Sequence, residues 1–188
     1  MSVACFLALL TAVAALRLWE MRLSRRNQRV LAERGAQKAA DPVFGWMVAL
    51  HAGVLLGAAV EVVLLRRPFA PALAAAMGAL FLLANAARWW VVRSLAGHWN
   101  VRVMASAPLG VVTHGPYRWV RHPNYAAVFV EMLALPMIHT AWLTAAAGGA
   151  AHALVLRRRI AGEDRLLLAD PAYRAAMGGK PRFVPGLF

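Results

Sequence analysis

Between Phe69 and Ala87 the chain carries no charged side chain, and three other stretches come close to the same condition. Ser2–Leu16 is uncharged, Val43–Leu65 holds one acid, Glu61, and Asn124–Leu156 holds one charge, Glu131. A helix rising 1.5 Å per residue needs about 20 apolar residues to cross the hydrocarbon of a bilayer. The first three runs therefore supply one crossing each. Asn124–Leu156 spans 33 residues, interrupted by Pro136 and His139. That is too long for one crossing and too short for two full ones, so it reads as a tight helical hairpin turning near Pro136–Trp142. The expected fold is an all-α integral membrane protein of about five transmembrane helices, the last two forming the hairpin.

Composition supports this reading and removes others. The chain is 61% hydrophobic and 15% charged, with a net charge of +13 from 21 Lys and Arg against 8 Asp and Glu. Disorder requires low hydrophobicity. A nucleic-acid module has no use for so much apolar surface, so no nucleic-acid partner is expected. No cation precedes the first apolar run and basic residues follow it, which marks a retained helix rather than a cleaved signal peptide. Cys5 is the sole cysteine, which excludes an internal disulfide and a cysteine-based zinc site; no metal site is expected.

The cations alternate by loop. Arg17–Lys38 holds seven, Arg66–Arg67 two, Arg88–Arg121 five, the hairpin turn none and Arg157–Arg182 seven, so alternate loops carry 19 against 2. The positive-inside rule then places the N-terminus outside and the long polar segments with the C-terminus in the cytoplasm. For a bacterial cell this is a multi-pass protein of the inner membrane.

Two segments beside the cytoplasmic face concentrate polar and aromatic residues. The first runs from Gly97-His98-Trp99-Asn100 to Gly115-Pro116-Tyr117-Arg118-Trp119-Val120-Arg121-His122-Pro123-Asn124-Tyr125; the second is Arg157–Asp164. His122-Pro123 opens a helix, because proline suits the first helical position and excludes its predecessor from the α region. Free amides at such a start favour an anionic group. Tyr117 and Trp119 offer faces for a purine, and Glu163 can accept from an amine or a ribose hydroxyl. Taken singly, each feature has a plainer reading. Arginines beside a span set topology, and Trp99, Trp119 and Trp142 sit where interfacial anchors belong. Arg159 and Glu163, four apart, can form a solvated helix pair. His51 and His152 read first as packing hydrogen bonders between helices. Glu61 and Glu131, ionisable inside spans, are functional candidates, and Glu61 has Arg66 and Arg67 as available partners.

The ordered set is more specific. Gly115, Tyr117, Arg121, His122, Pro123 and Tyr125, then a hydrophobic hairpin, then Arg159, Glu163 and Tyr173, resembles the isoprenylcysteine carboxyl methyltransferase family. The closing Pro181-Arg182-Phe183-Val184-Pro185 is similar to the family's tail. The resemblance covers Leu95–Phe188 and divides the chain into a three-span region, residues 1–93, and a catalytic region, residues 94–188. It departs from the family pattern at Asp164-Arg165 and in a shortening before Tyr173. It implies a cytoplasmic pocket for S-adenosylmethionine formed by the C-terminal half. Carried over, that pocket would include Leu109, Gly110, Val111, Val112, Tyr117, His122, Pro123, Asn124, Tyr125 and Glu163, with Arg102 on a looser match. Arg159 matches the family's substrate-side arginine.

Arg26-Asn27, His51, Arg88-Trp89-Trp90, Trp99-Asn100, Glu131 and Pro136 further resemble a bacterial subgroup that accompanies type III polyketide synthases. The implied acceptor is an enolic or phenolic hydroxyl of an alkylpyrone or alkylresorcinol, reached from the bilayer, with a polyketide synthase as functional associate. Methyl transfer needs acceptor and methyl held in line and the acceptor proton removed. Arg159 could hold an anionic acceptor; His51, Glu131 and His122 are candidate bases. Three other functions fit parts of the pattern. One is methylation of a prenylated cysteine carboxylate. Another is a nicotinamide-dependent membrane reductase sharing Arg-His-Pro-Asn-Tyr, and the third is a non-enzymatic membrane scaffold.

Overall fold

The computed structural model describes residues 1–38, 41–105 and 110–183. Among these residues the chain forms six α-helices: α1 (Val3–Glu33), α2 (Phe44–Leu64), α3 (Pro71–Leu95), α4 (Pro123–Met137), α5 (Trp142–Leu167) and α6 (Pro171–Met177). Two short strands, β1 (Gln37–Lys38) and β2 (Met104–Ala105), pair antiparallel, with Gln37 opposite Ala105 and Lys38 opposite Met104. The fold is thus helical apart from this one short ladder, which ties the chain after α1 to the loop after α3.

Among the described residues, three helices are long and apolar enough to cross a membrane: α1, α2 and α3, the last continued by a 3-10 turn to His98. Their outer faces carry Leu56, Leu64, Leu82 and Leu83, each more than 65% exposed. A contiguous apolar exterior of this kind matches lipid and would aggregate in water. The helix α1 outruns its apolar stretch by more than a dozen residues, and its polar C-terminal part carries five of the arginines. The expected division after residue 93 falls inside the last turn of α3.

The apolar run after Asn124 does fold as a hairpin. Helix α4 ends at Met137 and α5 begins at Trp142, with Pro136 in the last turn of α4. Thr140 sits at φ 55° and its hydroxyl donates to Pro68 O at 2.6 Å, fastening the turn to the α2–α3 connection. Glu61 caps α5: its carboxylate accepts from Leu143 N, Thr144 N and the Thr144 hydroxyl, and it pairs with Arg67 at 2.9 Å. Glu61 is therefore a structural acid holding α2 to the hairpin. Helix α5 comes close to its neighbours at Gly148 and Gly149, where a Cβ would strike Val54 of α2 and Leu133 of α4.

The core joins Phe6, Leu10 and Val13 of α1 to Ala58 and Val62 of α2, Phe81 of α3, and Ala134 and Leu135 of α4. At its edge lies a charge cluster with no net charge. Arg17 pairs with Glu20 at 2.7 Å and Glu131 at 2.6 Å, and Arg88 pairs with Glu20 at 2.6 Å. Two cations and two anions from α1, α3 and α4 thus neutralise one another where hydration is scarce, with Glu131 Oε1 left without a hydrogen-bond partner among the described residues. Trp99 departs from its expected place as an interfacial anchor: it is 2% exposed, while Trp119 and Trp142 are exposed. Asn27 Nδ2 donates to Trp99 O at 2.7 Å and Val101 N donates to Ser24 Oγ at 2.9 Å, so α1 draws this loop into the body of the protein.

Candidate functional site

Helix α4 starts where the sequence predicts. His122 is its N-cap and Pro123 its first residue. Proline brings no N–H, and no partner is recorded for the amides of Asn124 and Tyr125 among the described residues. Gly115, at φ 60°, begins the 3-10 turn that carries Tyr117, and its bare Cα lies against Ser94 of α3. A side chain there would collide, which accounts for glycine in that position.

These elements enclose a cavity of about 510 Å³, within the range of small-molecule sites. Arg102, Gly110, Val111 and Val112 form one side, Tyr117, His122, Asn124 and Tyr125 another. Helix α5 contributes Arg159 and Glu163, and Tyr173 of α6 closes the end. Leu109 lies outside the described residues. Pro123 does not line the cavity and acts through the helix start. Arg102, Gly110, Val111, Val112, Tyr117, His122, Asn124, Tyr125 and Glu163 thus meet in one cavity.

Glu163 organises the polar side. It accepts from the Tyr125 hydroxyl, which in turn accepts from Arg159 Nε at 2.7 Å. Arg159 and Glu163 are therefore linked through Tyr125 rather than paired directly. Tyr117 and Tyr173 face the same carboxylate; burial, reinforced by the Glu163 charge, raises the Tyr117 phenol far above its ordinary value and pushes Tyr173 up to about 12. Both remain protonated donors. Arg121 Nε is buried without a partner among the described residues. Arg102 stacks over Phe44 of α2 with its guanidinium carbon 3.4 Å from the ring centre.

The tail closes over this site. Arg121 N donates to Pro181 O at 2.9 Å, His122 N to Arg182 O at 3.0 Å, and Lys180 Nζ to Tyr117 O at 2.8 Å. The His122 ring is 3% exposed, and its Nε2 donates to Asp164 Oδ1 at 2.8 Å. Asp164 also takes Arg182 Nε at 2.8 Å. This aspartate lies past the apolar part of α5; burial would raise its carboxyl, but the bonds from His122 and Arg182 and the nearby Arg121 outweigh that and hold it at about 2. Nε2 of His122 is thereby tied into a latch, which fixes the ring and leaves Nδ1 as an acceptor.

A second cavity of about 300 Å³ opens among α1, α2, α4 and α5. It shares Trp99, Asn100, Asn124, Tyr125 and Arg159 with the first, so these five residues form the wall between the two. Asn124 Oδ1 is buried in that wall without a partner among the described residues. Arg159 is only 5% exposed: Nη1 pairs with Asp41 at 2.9 Å, Nη2 donates to Val101 O at 2.5 Å, and Nε holds Tyr125. These contacts fix the guanidinium in the wall, where Arg159 lines both cavities. His51 lines the second cavity. Glu131 lines neither large cavity; it faces a void of about 30 Å³ and is held by Arg17. Of the three residues assigned to catalysis, His51 lies between the others, lining the small void with Glu131 and the 300 Å³ cavity with Arg159.

Sequence reasoning missed Asp41, Asp164 and Lys180. Asp41 stands alone before the second apolar run and has no spacing relation to Arg159. Asp164 was visible only as a departure from the family pattern.

The helical body thus holds two adjoining cavities at the start of the hairpin, one lined by Tyr117, His122 and Glu163 and the other by helices α1, α2, α4 and α5. The isoprenylcysteine carboxyl methyltransferase family model matches residues 76–169, which include the whole hairpin and most of the cavity walls. The chain belongs to that family, a family of membrane methyltransferases whose members use S-adenosylmethionine as methyl donor. It is also similar to the uncharacterized protein YpbQ of Bacillus subtilis (strain 168), 29% identical over 163 residues that cover 86% of this chain and 96% of that relative.

Proposed function

We propose that the protein binds S-adenosylmethionine in the 510 Å³ cavity and methylates a hydroxyl on a lipophilic molecule that enters the 300 Å³ cavity from the bilayer. The observation that carries this reading is the shared wall of Trp99, Asn100, Asn124, Tyr125 and Arg159, across which the two cavities meet. The donor set of the larger cavity fits the cofactor. The unpartnered Arg121 Nε suits a carboxylate, Glu163 suits an ammonium or ribose hydroxyl, and Tyr117 with Val111 and Leu166 suits a purine. When bound, S-adenosylmethionine supplies an electrophilic methyl on a sulfonium.

The chain's own residues position and desolvate. Asn124 Oδ1 accepts from the incoming hydroxyl and aligns its oxygen at the wall. Tyr125 is held by Glu163 and Arg159, so the wall keeps one geometry, and a fixed reacting distance supplies much of the rate. The apolar lining of Leu55, Val128 and Leu156 keeps water from the acceptor. Because Arg159 is satisfied by Asp41, a hydroxyl suits this wall better than a carboxylate that would need a free guanidinium. Phenolic and enolic lipids of the alkylresorcinol and alkylpyrone type fit these requirements, and a polyketide synthase would be the class of enzyme to supply them. The proton of an enolic hydroxyl is lost to solvent before transfer, and that of a phenol passes to solvent as its oxygen attacks, since Asn124 Oδ1 can hold the hydroxyl but cannot keep its proton. The hairpin completes five crossings, with the N-terminus outside and the cation-rich loops cytoplasmic.

The test is transfer of a radiolabelled methyl group from S-adenosylmethionine to 5-pentadecylresorcinol, an alkylpyrone and a farnesylcysteine by protein in nanodiscs. Label in the phenolic or enolic lipid is expected. Label confined to farnesylcysteine would overturn the acceptor class, and label in none of them would overturn the reading as a whole.

A further inference from the structure

Within the membrane-side cavity, two histidines carry hydrogen-bonding capacity that the protein does not use. His152 is 0% exposed, and neither its Nδ1 nor its Nε2 has a partner among the described residues. Phe129 stacks on its ring with centroids 5.9 Å apart, and the His51 ring meets it edge-on at 5.4 Å. His51 and His152 both line the cavity. A neutral imidazole always presents one donor and one acceptor, and leaving both unmade in apolar surroundings is costly. His51 Nδ1 lies 2.7 Å from Met47 O, so that nitrogen donates and Nε2 is left as an acceptor. Together the pair asks for a group that can both give and receive a hydrogen bond.

The neighbouring charges do not meet that demand. Arg17, Glu20 and Arg88 also line the cavity, but they are paired with one another. Apart from the wall shared with the larger cavity, the remaining lining is apolar. A hydrocarbon chain would leave both imidazoles unsatisfied, a carboxylate could only accept, and a hydroxyl does both. His152 precedes Arg159 by seven residues on α5, so both lie on one helix face, about 10 Å apart along the axis.

We propose that the membrane-side cavity recognises a lipid acceptor whose second hydroxyl function lies on its aliphatic tail rather than on the ring, held by His152 and His51 about 10 Å from the oxygen that is methylated. This rests on the methyl-acceptor reading of the cavity and adds to it: the acceptor has two oxygen functions, one at the Asn124 wall and one deeper in the membrane. The histidine pair then acts as a specificity device, since an acceptor without the second hydroxyl leaves buried donors and acceptors unpaired.

The test is equilibrium binding of tritiated lipids to the full-length protein in detergent micelles. The probes are 5-pentadecylresorcinol and analogues with one hydroxyl at successive mid-chain carbons. Wild type is expected to bind the best-placed hydroxylated lipid roughly tenfold more tightly than the plain one, the worth of about one net hydrogen bond. His152→Gln retains a donor and an acceptor and is expected to keep the preference; His152→Phe, with gel filtration and circular dichroism confirming the fold, is expected to lose it. Equal affinities in wild type, binding of no probe, loss of the preference in His152→Gln, or its persistence in His152→Phe would each overturn the proposal. Should His152→Phe not fold, wild type and His152→Gln decide it alone. Titration of S-adenosylhomocysteine into the same wild-type preparation reports separately on the methyltransferase reading. No binding there with the lipid preference intact would remove that reading and leave the histidine site standing.

Discussion

At Arg159 the guanidinium commits each of its nitrogens to the protein, and its nearest anion is Asp41, with both side chains 4% exposed. Removing one partner of such a pair leaves an uncompensated buried charge. Arg159→Ala is therefore expected to lower stability by about 3–5 kcal/mol, and Asp41→Asn in the same chain to recover part of it. A double-mutant cycle on thermal unfolding measures the coupling; additive effects would show that Asp41 is not the partner. Asp164 makes a pH-dependent contribution. Its carboxyl sits at about 2 in the folded protein against an ordinary 3.8, so the latch to His122 and Arg182 is complete above 3.8 and is lost as pH falls through about 2. Asp164→Asn is expected to cost about 1.5–3 kcal/mol at neutral pH and to flatten the stability profile between pH 4 and 2. An unchanged slope would remove the aspartate from the latch. Neither Asp41 nor Asp164 could be paired by inspection of the chain, because the partners lie 118 and 42 positions away and follow no helical spacing.

Among the elements, the hairpin carries the site, and its tightness comes from two glycines and a capping acid. Gly149→Val would drive a branched side chain into Leu133, and overpacking of this sort costs about 1–3 kcal/mol. The expected result is a lowered unfolding temperature; an unchanged one would mean that α4 and α5 can separate at no cost. The helices were legible because hydrophobic length and proline position act locally. The three spans, the turn between Met137 and Trp142 and the start of α4 at Pro123 all follow from such signals. The inward pull on Trp99 was not legible, because aromatic residues at span ends look alike in sequence whether they face lipid or are drawn inward by Asn27 and Ser24. The family motifs fall on walls of the 510 Å³ cavity, since they lie on the segment that turns into α4 and on one face of α5. They could not reveal that Arg159 is already paired or that Glu131 belongs to a charge cluster, since both depend on which helices pack together.

For the whole molecule, two cavities of about 510 and 300 Å³ meet across one wall of five shared residues. Of the 21 cations, 19 fall on alternate loops. The central claim is that the larger cavity holds S-adenosylmethionine with Glu163 as a ligand. Calorimetric titration of the purified protein with S-adenosylhomocysteine, with NADPH in parallel, tests it most directly when repeated on Glu163→Ala. Wild type is expected to bind S-adenosylhomocysteine and not NADPH, and the variant to bind at least about tenfold more weakly, as befits a lost charge-assisted hydrogen bond. Binding of NADPH alone, or an affinity unchanged by Glu163→Ala, would contradict the assignment.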